Sequence, residues 1–201
     1  MTQDDFIRTI GNAAVANYPR YRILPSLTIA QAILESGWGK SRLATECFNY
    51  FGMKWREGCE CDYKEYMTKE QKPNGQYYTI MAKFRKYRDI PDGIKGYYDF
   101  LSGYKRYHNL IGVTDAGRAC DLIRQDGWAT SLKYSENLKK LILKYQLTVY
   151  DAKTIGGQDL EAVARDVIDG KYGNGEERKS RIAAAGYDYK AVQKIVNMMV
   201  K

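Results

Sequence analysis

Helical periodicity runs through most of this chain and is interrupted once. Between residues 55 and 88 the three- and four-residue apolar spacing fades, and Pro73-Asn74-Gly75 marks a turn between DYKEYMT and QYYTIMAKFRKY. One β excursion inside a helical chain predicts an α+β, mainly helical fold with a small hairpin or three-stranded lobe. The first helix is predicted over residues 3–17. Thr2 and Asp5 form a capping-box pattern, Phe6, Ile7, Ile10, Ala13, Ala14 and Val15 form its apolar stripe, and Pro19 follows its end. A second helix is predicted to start at Thr28 as cap, with Gln31 three residues on and Leu27 and Ala32 as a hydrophobic staple, and to stop at Gly37. A short helix near 40–46 and longer ones near 92–102, 114–125 and 134–145 complete this part.

Residues 151–158 lose all periodicity and contain Gly156-Gly157, which reads as a linker. Residues 159–201 read as three brief helices. Asp159 begins the first, which Gly170 ends, Asn174 caps the second, which ends at Gly186, and Asp188 caps the third, whose Val192, Ile195, Val196 and Met199 face inward. The expected organisation is a domain at 1–150, a linker, and a small three-helix module near the lower size limit for independent folding.

The chain has 201 residues, a formal net charge of +8 and a sequence pI near 9.2, with most of the excess within residues 1–150. A basic domain favours an anionic polymer: nucleic acid, anionic lipid or bacterial wall. No Gly-rich phosphate loop or zinc knuckle accompanies the charge, so nucleic acid is not expected as a partner. No apolar run approaches the ~18 residues of a membrane span. Asp4 and Asp5 stand where a signal peptide would be basic, so no secretion signal is expected. The four cysteines, Cys47, Cys59, Cys61 and Cys120, are then expected as reduced thiols, and one C-x-C lacks the spacing of a zinc knuckle. His108, the only histidine, is expected to be a structural hydrogen-bonder. Neither a metal nor an organic cofactor is expected.

Glu35 carries the chemistry. It lies in TIAQAILESGWG, in the last turn of the second helix, where the helix dipole opposes ionisation. Ile33, Leu34 and Trp38 supply apolar neighbours in sequence, and desolvation acts in the same direction. A carboxylic acid kept neutral in this way can protonate a leaving oxygen, the physics of the general acid in lysozyme.

TIAQAILESGWGKSRLA, then FNYFGMKW, then the hairpin with TKE and AKFRKY resemble glycoside hydrolase family 73, the peptidoglycan-cleaving N-acetylglucosaminidases, over about residues 3–148. The resemblance implies a lysozyme-like fold and cleavage of the β-1,4 bond after N-acetylglucosamine. It makes Glu35 the proton donor and assigns the second acid to Glu70 in Thr68-Lys69-Glu70, with Glu65 as the neighbouring alternative. That second acid would activate water or stabilise developing positive charge. Carboxylate separation would decide inversion or retention, and assistance by the substrate's acetamido group stays open. In Ala129-Thr130-Ser131-Leu132-Lys133-Tyr134, Tyr134 matches the family's cleft tyrosine, whereas Ser131 replaces an acid. Asn49, Phe51 and Gly52 match the family's N-x-F-G and are expected to shape the cleft floor. Trp38 and Phe51 are either sugar contacts or core.

The C-terminal VARDVIDGKYGNGEERKSRIAAAGYDYKAVQKIVN resembles the CW_7 cell-wall-binding repeat of phage lysozymes. The resemblance implies wall binding through the turn at 170–175, with Gly170, Tyr172, Gly173 and Asn174, and through Arg178. The alternative for Arg178 is an ion pair with Glu176, Glu177 or Asp169. A single copy binds weakly alone and gains occupancy when tethered to a catalytic domain on a polymer.

The expectation is therefore an endo-β-N-acetylglucosaminidase acting on peptidoglycan, an endolysin held in the host cytoplasm until a holin releases it, or a secreted protein if a leader was removed. The rivals are a muramidase or lytic transglycosylase on the same glycan, and a non-catalytic wall-binding protein.

Overall fold

The computed structural model describes residues 1–71, 75–152, 154, 158–185, 187 and 189–200. The chain divides into two compact units, Met1–Tyr150 and Asp151–Lys201.

In the first unit α1 spans Gln3–Tyr21, α2 Pro25–Ser36 and α3 Arg42–Cys47. A hairpin of β1 (Asp62–Gln71) and β2 (Tyr77–Lys86) follows. Then come α4 (Ile90–Gly103), a 3-10 turn over Lys105–Leu110, α5 (Ala116–Gln125), α6 (Tyr134–Lys144) and α7 (Thr148–Ala152), whose last two residues belong to the second unit. This is the expected α+β, mainly helical architecture.

The capping box of α1 is present: Thr2 Oγ1 accepts from the Asp5 amide at 3.1 Å, and the Asp5 carboxylate accepts in return from the Thr2 amide. The helix runs four residues past its predicted end. Pro19 removes one amide donor, yet Tyr18 and Tyr21 are buried in the core, and their packing carries the helix on to Arg22.

The predicted start of α2 is wrong. The helix begins at Pro25, whose fixed φ suits the first helical position and whose missing N–H would find no intrahelical partner there. Thr28 is therefore inside the helix and buried, with Oγ1 2.8 Å from the Tyr98 hydroxyl, and caps nothing. Every residue from Pro25 to Ile33 is buried, so α2 runs through the middle of the unit with α1, α5 and α6 around it. Only its last turn reaches the surface, at Leu34 and Glu35. Gly37, left-handed at φ 56°, closes it.

The two strands pair antiparallel from Asp62↔Lys86 to Gln71↔Tyr77. Tyr66 and Phe84 pack with Cys47, which seats one face of the hairpin on α3. Lys54 adds a single bridge to Phe84, the whole of any third strand among the described residues. The predicted turn residues Pro73 and Asn74 lie outside the described residues.

The second unit holds α8 (Gln158–Ile168), α9 (Gly175–Ala184) and α10 (Tyr189–Met199) around Val163, Ala164, Val167, Ile182, Val192 and Val196. Two expectations fail. Met199 is exposed, because it falls in the last turn of α10, beyond the reach of that small core. Asn174 occupies the cap position of α9, but its side-chain oxygen accepts from Arg178 Nη2 at 2.8 Å and caps no amide. The expected helix stop at Gly186 and cap at Asp188 lie outside the described residues, as do 153 and 155–157 of the 151–158 linker; α7 reaches into its first two positions and α8 begins at its last.

Candidate active site

Glu35 sits at the only surface-reaching turn of α2 and lines a groove of about 620 Å³. The walls come from distant parts of the unit: Phe51, Gly52 and Met53 from the turn after α3, Phe100 from α4, Trp128 from the loop after α5, and Tyr134 from the start of α6. Two groups hold one carboxylate oxygen: the Tyr134 hydroxyl donates to Glu35 Oε1 at 2.7 Å and the Trp128 indole N–H donates to the same atom at 3.1 Å. Among the described residues nothing bonds Oε2.

Behind this pair lies a buried relay. The Tyr97 hydroxyl donates to Gln31 Oε1, and Gln31 Nε2 donates to the Tyr134 hydroxyl at 2.9 Å. Each hydroxyl therefore has one defined direction, ending on Glu35. Burial, and next the adjacent Glu35 carboxylate, pushes the Tyr134 phenol well above its ordinary range; burial does the same for Tyr97. Both remain protonated donors at any working pH. Phe51, 4% exposed, stacks on Tyr97 with ring centroids 3.9 Å apart, so the groove floor and the relay are one packed assembly.

The apolar surroundings expected for Glu35 are corrected by this geometry. Ile33 points into the core, Leu34 is on the surface, and Trp38 turns away to lie edge-on to Phe6 and Tyr145, at 6.0 and 5.0 Å. Trp38 adopts φ 65°, and that left-handed turn after Gly37 carries its ring away from the groove. Trp38 thus packs against the core and does not line the groove, contrary to its expected place among the sugar contacts. Glu35 itself is exposed, held by hydrogen bonds in place of an apolar sleeve.

The remaining candidates divide. Phe51 and Gly52 line the groove, the latter at φ 63°, where glycine is favoured. Asn49 is buried beneath them: its amide donates to the Met53 and Arg85 carbonyls at 2.8 and 3.0 Å and accepts from the Met53 N–H at 2.9 Å. It shapes the floor by tying the turn to β2. Ser131, in the place of the family acid, lines the groove. Glu70 is paired with Tyr78 in the hairpin, and its side chain lies outside the described residues. Glu65 is exposed opposite Lys83 and does not line the groove.

Trp128 and Tyr97 were not singled out by sequence reasoning. The available sign for Trp128 is an indole donor directly after Gly127, which at φ 81° turns the chain just past the Asp126 cap of α5. The sequence marks Gln31 only as a capping partner.

His108 Nε2 lies 2.8 Å from the Ser102 carbonyl, the structural bond expected of it. All four cysteines are free thiols. Among the described residues no three His, Cys, Asp or Glu side chains gather as a metal site would require, and no helix is long and apolar enough to cross a membrane.

In the second unit Gly170, Gly173 and Gly175 all have positive φ, and Arg178 is stapled to the turn they form. Its Nε donates to the Gly173 carbonyl at 3.0 Å and its Nη2 to Asn174. Glu177 instead pairs with Arg181 and Glu176 with Lys179. Tyr172 packs against the small core.

A helical domain with one hairpin and an acid at the mouth of a central helix is the lysozyme-like arrangement. Solved structures share it. The catalytic domain of the autolysin Auto from Listeria monocytogenes superposes with a TM-score of 0.64 at 30% identity, covering 74% of this chain and 86% of that one. The family model described as mannosyl-glycoprotein endo-beta-N-acetylglucosaminidase matches residues 11–147, and the chain belongs to this glucosaminidase family. The CW_7 repeat model matches residues 161–200. Among curated proteins, the exo-glucosaminidase LytG of Bacillus subtilis is 33% identical over 82% of this chain, and the peptidoglycan hydrolase FlgJ of Escherichia coli K12 is 30% identical over 58%. The chain spans 60% and 38% of the length of these two relatives.

Proposed function

We propose that this chain is a peptidoglycan hydrolase, an endo-β-N-acetylglucosaminidase that cleaves the β-1,4 bond after N-acetylglucosamine, and that its second unit holds it on the wall. The observation that carries this reading is the one-sided clamp on Glu35: Oε1 is fixed by Tyr134 and Trp128, which leaves Oε2 to face a bound glycan. From there Glu35 protonates the departing glycosidic oxygen, while a sugar lying over Phe51 and Trp128 removes water from the site. The second group is Glu70 or Glu65 on the hairpin, or the acetamido oxygen of the substrate. No metal or organic cofactor enters the step. The names of the relatives, a glucosaminidase and peptidoglycan hydrolases, support the substrate class, and the CW_7 match supports wall attachment. Storage in a host cytoplasm until a holin opens the membrane belongs to the same proposal, and four free thiols suit a reducing compartment.

Mass spectrometry of digested peptidoglycan tests the reading. Reducing N-acetylglucosamine ends are expected, in fragments longer than disaccharides. Reducing N-acetylmuramic acid ends, or anhydro ends, would replace it with one of its rivals. Glu35→Gln is expected to abolish lysis while sedimentation with walls persists.

A further inference from the structure

Wall glycan alternates two sugars through one kind of linkage. Only every second sugar carries an acidic lactyl ether, which peptides bearing free carboxylates extend. A lone proton donor does not tell the two linkages apart, so something else in the groove must read phase. Among the described residues Glu35 is the one carboxylate lining the groove, whereas Lys54, Arg56 and Arg106 supply three cations. The two arginines meet at Tyr104. Arg56 Nη1 lies 3.5 Å from its hydroxyl, and the Arg106 guanidinium lies 5.8 Å from its ring and 4.6 Å from that of Tyr107. Both arginines are exposed, and neither forms an ion pair among the described residues.

A ridge of rings joins this corner to the acid. Trp128, bonded to Glu35, lies 5.9 Å from Phe100 and 6.1 Å from Tyr107, and Phe100 lies 4.6 Å from Tyr104. Aromatic faces suit sugar rings, and guanidinium forks suit carboxylates. Packed rings thus run from the acid to the two arginines.

We propose that Arg56 and Arg106 form a carboxylate-reading subsite, which takes the acidic substituent of every second sugar and so decides which linkage lies against Glu35. The proposal rests on the wall-glucosaminidase reading above. A slip by one sugar would bring an N-acetylglucosamine with no carboxylate to the arginines and leave both unpaired.

The test uses glycan strands with their peptides, either with free carboxylates or with the carboxylates converted to neutral amides by carbodiimide coupling. On the full chain, neutralisation is expected to lower kcat/KM about tenfold, through KM, because charge-assisted hydrogen bonds are lost. Added salt should shrink that difference. In the Arg56→Gln/Arg106→Gln variant, free and neutralised strands should be cut alike, with reducing N-acetylmuramic acid ends appearing as register slips. Arg56→Lys/Arg106→Lys keeps the charge without the fork and should recover part of the preference. Calorimetric titration of both strand types into Glu35→Gln reads the same preference without catalysis. An equal preference in wild type and double Gln variant, in cleavage or in titration, overturns the subsite. Absence of reducing N-acetylglucosamine ends with wild type on either substrate overturns the glucosaminidase reading instead, and the titration then still decides the subsite.

Discussion

Tyr134→Phe isolates the relay behind the acid, because it deletes one hydroxyl and keeps a ring that is 6% exposed. Two bonds vanish: the 2.7 Å donation to Glu35 Oε1 and the 2.9 Å acceptance from Gln31 Nε2. Gln31 is fully buried, so its amide loses a partner that water cannot replace. Such a loss costs about 1–3 kcal/mol, which for a unit of this size lowers Tm by about 2–10 °C. The first bond matters to the reaction. Hydrogen bonds to charged groups are worth about 1.5–3 kcal/mol, and Trp128 retains part of the hold on Oε1, so kcat should fall about 10- to 100-fold with KM little changed. Calorimetry gives the first number, and release of reducing ends from purified wall gives the second. In a Glu35→Gln background the same substitution should lower Tm alike and have no rate left to change. A Tyr134→Phe enzyme with kcat within about twofold of wild type, at a lowered Tm, would refute the claim that the relay positions the acid.

Trp128→Phe removes the 3.1 Å indole bond and keeps a ring against Tyr97, Phe100 and Tyr107; kcat should fall about tenfold in the same assay, with stability within about 1–2 kcal/mol of wild type by denaturant titration. Gly93→Ala, in α4, should destabilise by about 1–3 kcal/mol although alanine is the better helix former, because the added methyl would meet the Phe48 carbonyl oxygen at 2.1 Å; a raised Tm would contradict the packing of α4 on that turn. Glu46 links α3 to the hairpin, and hydrogen bonds from Lys64 first, then Tyr66 and Arg42, hold its carboxyl down at about 2 against an ordinary 4.5. A depressed carboxyl stabilises the fold above its unfolded value and loses that contribution as pH falls through the folded one, so Glu46→Gln should flatten the acid limb of stability between pH 4.5 and about 2 while altering little below it, as read by Tm against pH.

Local chemistry was legible in the sequence. The Thr2–Asp5 box, the hairpin and the helix closing on Glu35 and Gly37 all follow from signals within a few residues. Thr28 misled because its cap signal is also local, and the contact that overrides it, to Tyr98, comes from a residue 70 positions away. Trp38 misled because sequence proximity to Glu35 says nothing about direction after a left-handed turn. The partners of Glu35 stand 93 and 99 residues downstream, and only the packing of α5 and α6 on α2 brings them in. Resemblance to a family located Tyr134; neither periodicity nor composition had any means of locating Trp128.

The clamp on Oε1 also settles how an amide would sit at position 35. In Glu35→Gln the carbonyl oxygen would take the place facing the two donors, since an NH₂ there would confront an O–H and an N–H. The amide nitrogen would then point outward and offer a hydrogen to the glycosidic oxygen that it could never surrender. Such a protein would be a snare: it would grip intact saccharide in the posture of the live enzyme and hold it long enough to be crystallised.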